Sequence, residues 1–95
     1  MSDDTARFEL QPIMKIEDCE HLHAFLVSAT NQNVDIGCSA VERLNGLTAQ
    51  MLAVAQRSWH RHERQFTFSD PSEGFAQGVA LLGLSDLIGS DRVTA

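Results

Sequence analysis

Basic residues are scarce in this chain: Lys and Arg number 7 against 13 Asp and Glu, for a formal net charge of −6. Nucleic-acid binding rests on clustered cations, so the balance argues against a DNA or RNA partner. The one basic cluster, Arg57, His60, Arg61, His62 and Arg64, reads as the polar C-terminal end of a helix, where the macrodipole favours cations. Docking of that cluster onto an acidic or phosphorylated partner is the alternative. No segment approaches the ~20 consecutive apolar residues of a membrane span. The start, Met-Ser-Asp-Asp-Thr, is acidic and lacks the apolar run of a signal peptide. Cytoplasmic residence without membrane insertion is the resulting expectation. Cysteines number only 2, Cys19 and Cys38, with neither CxxC nor His-ligand spacing, so both are expected to be reduced thiols.

What is present is enough for one globular core. The chain has 95 residues, 43% hydrophobic and 21% charged, within the range of a single folded domain and outside the composition of intrinsic disorder. Residues 1–6 read as a disordered leader, 7–89 as the domain and 90–95 as a disordered tail.

The hydrophobic spacing gives the order β, α, β, α, β, α. Arg7 to Met14 reads as a strand with Phe8, Leu10 and Pro12 on one face, and Pro12 puts it at an edge. Over Ile16 to Ala29, Cys19, Leu22, Phe25, Leu26 and Ala29 make a helical stripe, with Asp18 as the cap. Val34 to Cys38 is a short β-branched run, the pattern of a central strand, with Cys38 as a small core residue. The second helix runs from Asn45, a strong N-cap type, to about Arg61. Leu47, Met51, Leu52, Val54, Ala55 and Trp59 form its apolar face. Gln65 to Ser69 alternates Phe66 and Phe68 inward. Asp70-Pro71-Ser72-Glu73 then opens a third helix, with Asp70 as cap, a stripe of Phe75, Val79 and Leu82, and Gly83 as a left-handed terminator. Leu84, Leu87 and Ile88 add a last short turn or helix. Alternating strands and helices predict a small α/β domain whose mixed or parallel sheet is joined by right-handed crossovers.

In such sheets, sites lie beyond the carboxyl ends of the strands. That points to Ser39 to Thr48, where Ser39, Glu42, Arg43, Asn45 and Thr48 surround a helix N-terminus that favours an anion. The sequence contains no GxGxxG, GxxxxGK[ST], GxSxG or HExxH. His21 and His23, and likewise His60 and His62, are two residues apart and do not share a helix face, so they read as solvated surface groups. No metal and no cofactor is expected.

The succession from Val34-Asp35-Ile36 through Val41-Glu42-Arg43-Leu44-Asn45-Gly46-Leu47, a helix, Phe66-Thr67-Phe68-Ser69 and a last helix ending in Gly83-Leu84 resembles the STAS domain of bacterial anti-sigma-factor antagonists. In that family the loop before the second helix carries Asp-Ser-Ser/Thr-Gly-Leu, and its second hydroxyl residue accepts a phosphate from a partner kinase. Gly46 and Leu47 agree with the pattern. Arg43 stands at the Asp, Leu44 at the Ser, and Asn45 at the phosphoacceptor, where an amide accepts no phosphoryl group. The resemblance implies a non-catalytic protein-binding module whose switch is lost or moved to Thr48 or Ser39. Its surface would comprise Ser39, Glu42, Arg43, Asn45, Gly46, Leu47 and Thr48 together with Gln50 and Arg57. The implied partner is a histidine-kinase-like anti-sigma factor or a chemotaxis signalling protein. Two alternatives remain at this point: an accessory STAS subunit of a lipid-transporting ABC system, docking on its ATPase, and a small enzyme built on Cys38, His60 and Glu42.

Overall fold

A computed structural model describes residues 5–83. The chain runs β1 (Thr5–Glu9), α1 (Ile16–Ser28), β2 (Asn33–Gly37), α2 (Gly46–Arg61), β3 (Phe66–Ser69) and α3 (Glu73–Leu81). The strands lie in the order β1-β2-β3, and both pairings are parallel, so among the described residues the sheet is parallel and not mixed. As the apolar run predicts, β2 is central. The short turn or helix expected over Leu84 to Ile88 and the tail at 90–95 lie outside the described residues.

Several boundaries differ from the sequence expectation. β1 starts at Thr5, inside the expected leader, because β2 offers a partner there: Thr5 pairs with Asn33 and Ala6 with Val34. It ends at Glu9 and does not continue to Met14. Leu10 still donates its N–H to Gly37 O at 3.0 Å, and then the chain turns away with Pro12 exposed. At α1, Asp18 is not the cap. Lys15 holds that position and its N–H donates to Asp18 Oδ2 at 2.9 Å, so the carboxylate works from the third helical residue. At α3 the cap is Ser72, whose Oγ accepts from Phe75 N at 3.0 Å. Asp70 instead takes a left-handed φ of 50° in the turn after β3, a conformation that Asp tolerates better than most residues. Leu82 is exposed because α3 stops at Leu81, while Gly83 takes the left-handed φ of 74° expected of a terminator.

The core lies between the sheet and the helices. Val34, Ile36 and Phe66 are at most 1% exposed, and Leu22, Leu52, Phe75 and Val79 cover them. Burying each such side chain stabilises the fold by roughly 1.5–3 kcal/mol before entropy is counted. Aromatic rings link the elements: Phe66 lies 5.4 Å from Trp59 and 5.6 Å from Phe68, which lies 5.7 Å from Phe75. The Trp59 indole N–H donates to Gln32 O at 2.7 Å and ties α2 to the start of β2.

The other face of the sheet is polar. Register places Arg7, Asp35 and Thr67 in one row and Glu9, Gly37 and Ser69 in the next. Arg7 pairs with both Glu9 and Asp35, and its Nη1 donates to Ser69 Oγ at 3.1 Å. Ser69 Oγ and Thr67 Oγ1 donate to Asp35 at 3.1 and 3.2 Å. Glu9 and Asp35 raise the Arg7 pKa by hydrogen bond and charge. Among the described residues, hydrogen bonding thus takes the place that a second helical layer usually has over a parallel sheet.

Candidate docking site at the start of the second helix

The loop from Cys38 to Asn45 connects the carboxyl end of β2 to α2 and is held from three sides. From below, Cys38 N donates to Ser69 O at 3.0 Å and Ser72 N to Cys38 O at 3.2 Å. From the β1–α1 connection, Pro12 O accepts from Glu42 N at 2.9 Å and Arg43 N at 3.2 Å, alongside an isolated parallel bridge from Ile13 to Arg43. From α3, Ser72 Oγ donates to Val41 O at 2.6 Å. Val41 and Leu44 anchor the loop in the core, so its backbone is fixed while Ser39, Ala40, Glu42 and Arg43 remain exposed.

Asn45 completes the arrangement. Its Oδ1 accepts from Thr48 N at 2.8 Å as the α2 cap, and its Nδ2 donates to Met14 O at 2.9 Å. One amide therefore satisfies a helix end and fastens the approach to α1. Asn45→Ala is expected to cost about 1–2 kcal/mol, the usual cap loss plus an unpaired carbonyl, measured by urea unfolding. Asn45→Ser keeps the cap and is expected to lose the smaller part.

Of the site residues expected from sequence, Ser39, Glu42, Arg43, Asn45, Gly46, Leu47, Gln50 and Arg57 are exposed. Thr48 is not: it is fully buried, with Oγ1 3.4 Å from Cys19 Sγ. It neither presents a surface to a partner nor offers its hydroxyl to a kinase in this conformation. Among the two substitute acceptors, only Ser39 is reachable. Leu47 and Val54, expected on the core face of α2, are 57% and 60% exposed. The buried arc passes through Thr48, Ala49, Leu52, Ala55, Gln56 and Trp59, and a neighbour about 100° round the helix leaves it.

Gly46 opens α2 with nothing within 4 Å of where a Cβ would stand, and it has no left-handed φ. The fold itself gives no reason for glycine there. Gly46→Ala is expected to raise stability by up to about 0.5–1 kcal/mol, read as a higher urea midpoint.

The enzyme constellation does not assemble. Cys38 follows β2 and Glu42 lies in the loop before α2, whereas His60 stands near the far end of that helix, some 14 residues or about 21 Å of helix beyond its first residue. Cys38 is fully buried, and burial, helped by the negative charges of Asp35 and Glu9, pushes its thiol up to about 12. Such a group is protonated and inert at neutral pH. Because the folded state holds this proton more tightly than the unfolded chain, its contribution to stability is complete below pH 9. That contribution is lost between about 9 and 12 at up to about 1.4 kcal/mol per pH unit. Cys38→Ala is expected to flatten the alkaline limb of the unfolding profile. Among the described residues no group of three or more His, Cys, Asp or Glu side chains is placed to hold a metal ion. No helix among them is long and apolar enough to cross a membrane.

A small parallel sheet with a capped helix and a rigid exposed loop beyond its central strand is the arrangement of a STAS domain. A family model described as the Mlab STAS domain matches residues 1–89, and the chain belongs to that family. No curated protein and no solved structure matches it. STAS domains generally act without catalysis and commonly mediate protein–protein interaction.

Proposed function

We propose that this chain is a non-catalytic regulatory module that docks on a protein partner through Ser39, Glu42, Arg43, Asn45, Gly46 and Leu47, with Gln50 and Arg57 extending the surface along α2. The observation that carries this reading is the Asn45 amide, bonded on both sides to backbone. At the place where related domains carry a phosphoacceptor, it makes a fixed surface and no switch. Gly46 supports the same reading, since a bare backbone lets a partner approach closely. In this reading the partner is a histidine-kinase-like anti-sigma factor or a chemotaxis signalling protein of a bacterial cytoplasm. Regulation at the loop passes to Ser39, where a phosphate adds about −1.5 to −2 charges.

A second reading is favoured by the same amide. An accessory subunit of a lipid-transporting ABC system that docks permanently on the ATPase needs no phosphoacceptor at position 45. The two are separated by capturing the native protein from its own cells, identifying what is bound and mapping phosphate. A kinase-like or chemotaxis protein supports the first reading, and a transporter ATPase supports the second. Asn45→Lys, in a chain that remains folded by circular dichroism, is expected to weaken capture at least tenfold. Unchanged capture by that variant would sink the docking surface itself.

A further inference from the structure

α1 and α2 lie side by side and leave an open apolar groove between them. Its central section, a cavity of about 430 Å³, is walled by Leu26, Val27, Met51, Val54, Ala55 and Trp59. A second section, with Ile16, Glu20, Leu47 and Met51, continues it to the N-terminal ends of both helices. A third, with Thr30, Asn31, Ser58, His62 and Arg64, continues it to their C-terminal ends. The rims are large exposed hydrophobics: Ile16 is 73% exposed, Val54 60%, Val27 59% and Leu47 57%. Four such side chains in one strip exceed the scattered apolar exposure that a surface normally carries.

Charge is divided between the two ends. Glu17 and Glu20 stand in the first turns of α1, at the end where Ile16 and Leu47 meet. Arg57 and Arg61 lie one and two turns beyond Val54 on α2, and His62 and Arg64 follow at the same end. The groove is therefore apolar in the middle and net acidic at one end, where Glu17, Asp18, Glu20 and Glu42 outnumber Lys15 and Arg43. It is net basic at the other, where Arg57, Arg61 and Arg64 outnumber Glu63.

We infer that this face binds a second copy of the chain, with the helices of the two copies antiparallel about a two-fold axis. The two-fold carries the acidic end of each copy over the basic end of the other and lays both apolar strips together. The chain itself thus supplies the complement of its own surface, as an isologous interface requires. A parallel arrangement would set like charges opposite one another at both ends. Two helices wide and about four turns long, the face is at the small end of specific interfaces, so the expected Kd is about 10–100 µM. Leu47, Gln50 and Arg57 belong both to this face and to the proposed partner surface, so a second copy and the partner compete. The dimer does not depend on that partner reading.

Sedimentation equilibrium of the whole purified chain, from about 1 to 500 µM, tests the inference without any partner. A monomer–dimer equilibrium is expected, abolished by Val54→Glu with the circular dichroism spectrum unchanged. Glu20→Arg and Arg61→Glu are each expected to weaken it about tenfold, since every reversal counts at two symmetry-related contacts. The double variant, or an equimolar mixture of the two single variants, is expected to restore it. A chain monomeric throughout would overturn the proposal. So would a dimer that Val54→Glu leaves intact, or one indifferent to both charge reversals.

Discussion

Phe66→Ala is expected to lower the unfolding free energy by about 3–5 kcal/mol, the usual range for removing a buried aromatic ring. Phe66 is fully buried on β3, with Trp59 of α2 at 5.4 Å and Phe68 at 5.6 Å. β3 and α2 meet on this ring, and Phe68 carries the contact on to Phe75 of α3, so the hole cannot close by shifting one element alone. Small domains hold only about 5–15 kcal/mol in total. The variant should therefore unfold at a much lower urea concentration, or populate the unfolded state at 37 °C. A loss below about 1 kcal/mol would mean that the aromatic cluster is not the core of this fold.

Gly74→Val is expected to cost about 2 kcal/mol or more and to displace the docking loop. A Cβ on Gly74 would fall on the Glu42 carbonyl group, with the Val41 carbonyl oxygen only 2.9 Å away. Backbone does not yield as a flexible side chain does. Overpacking of this kind costs about 1–3 kcal/mol, occasionally more, while Val recovers only a few tenths of a kcal/mol of helix propensity over Gly. Gly78, one turn on, makes a similar approach to Leu44, whose Cβ would lie 2.6 Å from an added Cβ. α3 is thus the back wall of the Val41–Leu44 loop. The measurement is urea unfolding together with amide exchange of Glu42 and Arg43, whose N–H groups bond Pro12 O. Full stability with unchanged exchange would show that α3 does not brace the loop.

Most of the fold is legible in the residues. Periodicity places all three helices, because buried positions recur with the 3.6-residue turn: Cys19, Leu22 and Leu26 on α1, Phe75 and Val79 on α3. Val34 and Ile36 with Phe66 mark two strands by alternation. Less legible is where each element stops. β1 gains residues at its start from pairing with β2 and loses them at Pro12, where the chain must leave the sheet to support Glu42 and Arg43. Which polar residue caps α1 or α3 is settled by which N–H each side chain can reach, so Asp18 and Asp70 give way to Lys15 and Ser72.

The candidate site divides in the same way. Asn45 as the cap of α2 follows from its own chemistry, and its absent hydroxyl is a property of the sequence. Its second bond, to Met14 O 31 positions back in the chain, belongs to the fold. Thr48 has the composition of a surface acceptor and the position of a core residue, because α2 turns that arc toward Cys19. Gly74 and Gly78 carry no signal of closeness until α3 is laid against the loop.

The sequence by itself determined the βαβαβα order, the central place of β2 and the capped start of α2 at an amide side chain without a hydroxyl, since propensity, alternation and side-chain chemistry are local. Only the tertiary structure decided which arc of α2 is buried, which hydroxyl is reachable and how Leu47 and Val54 come to line an open groove with α1. Those depend on how two helices lie on one sheet, and no spacing along a single segment contains that information.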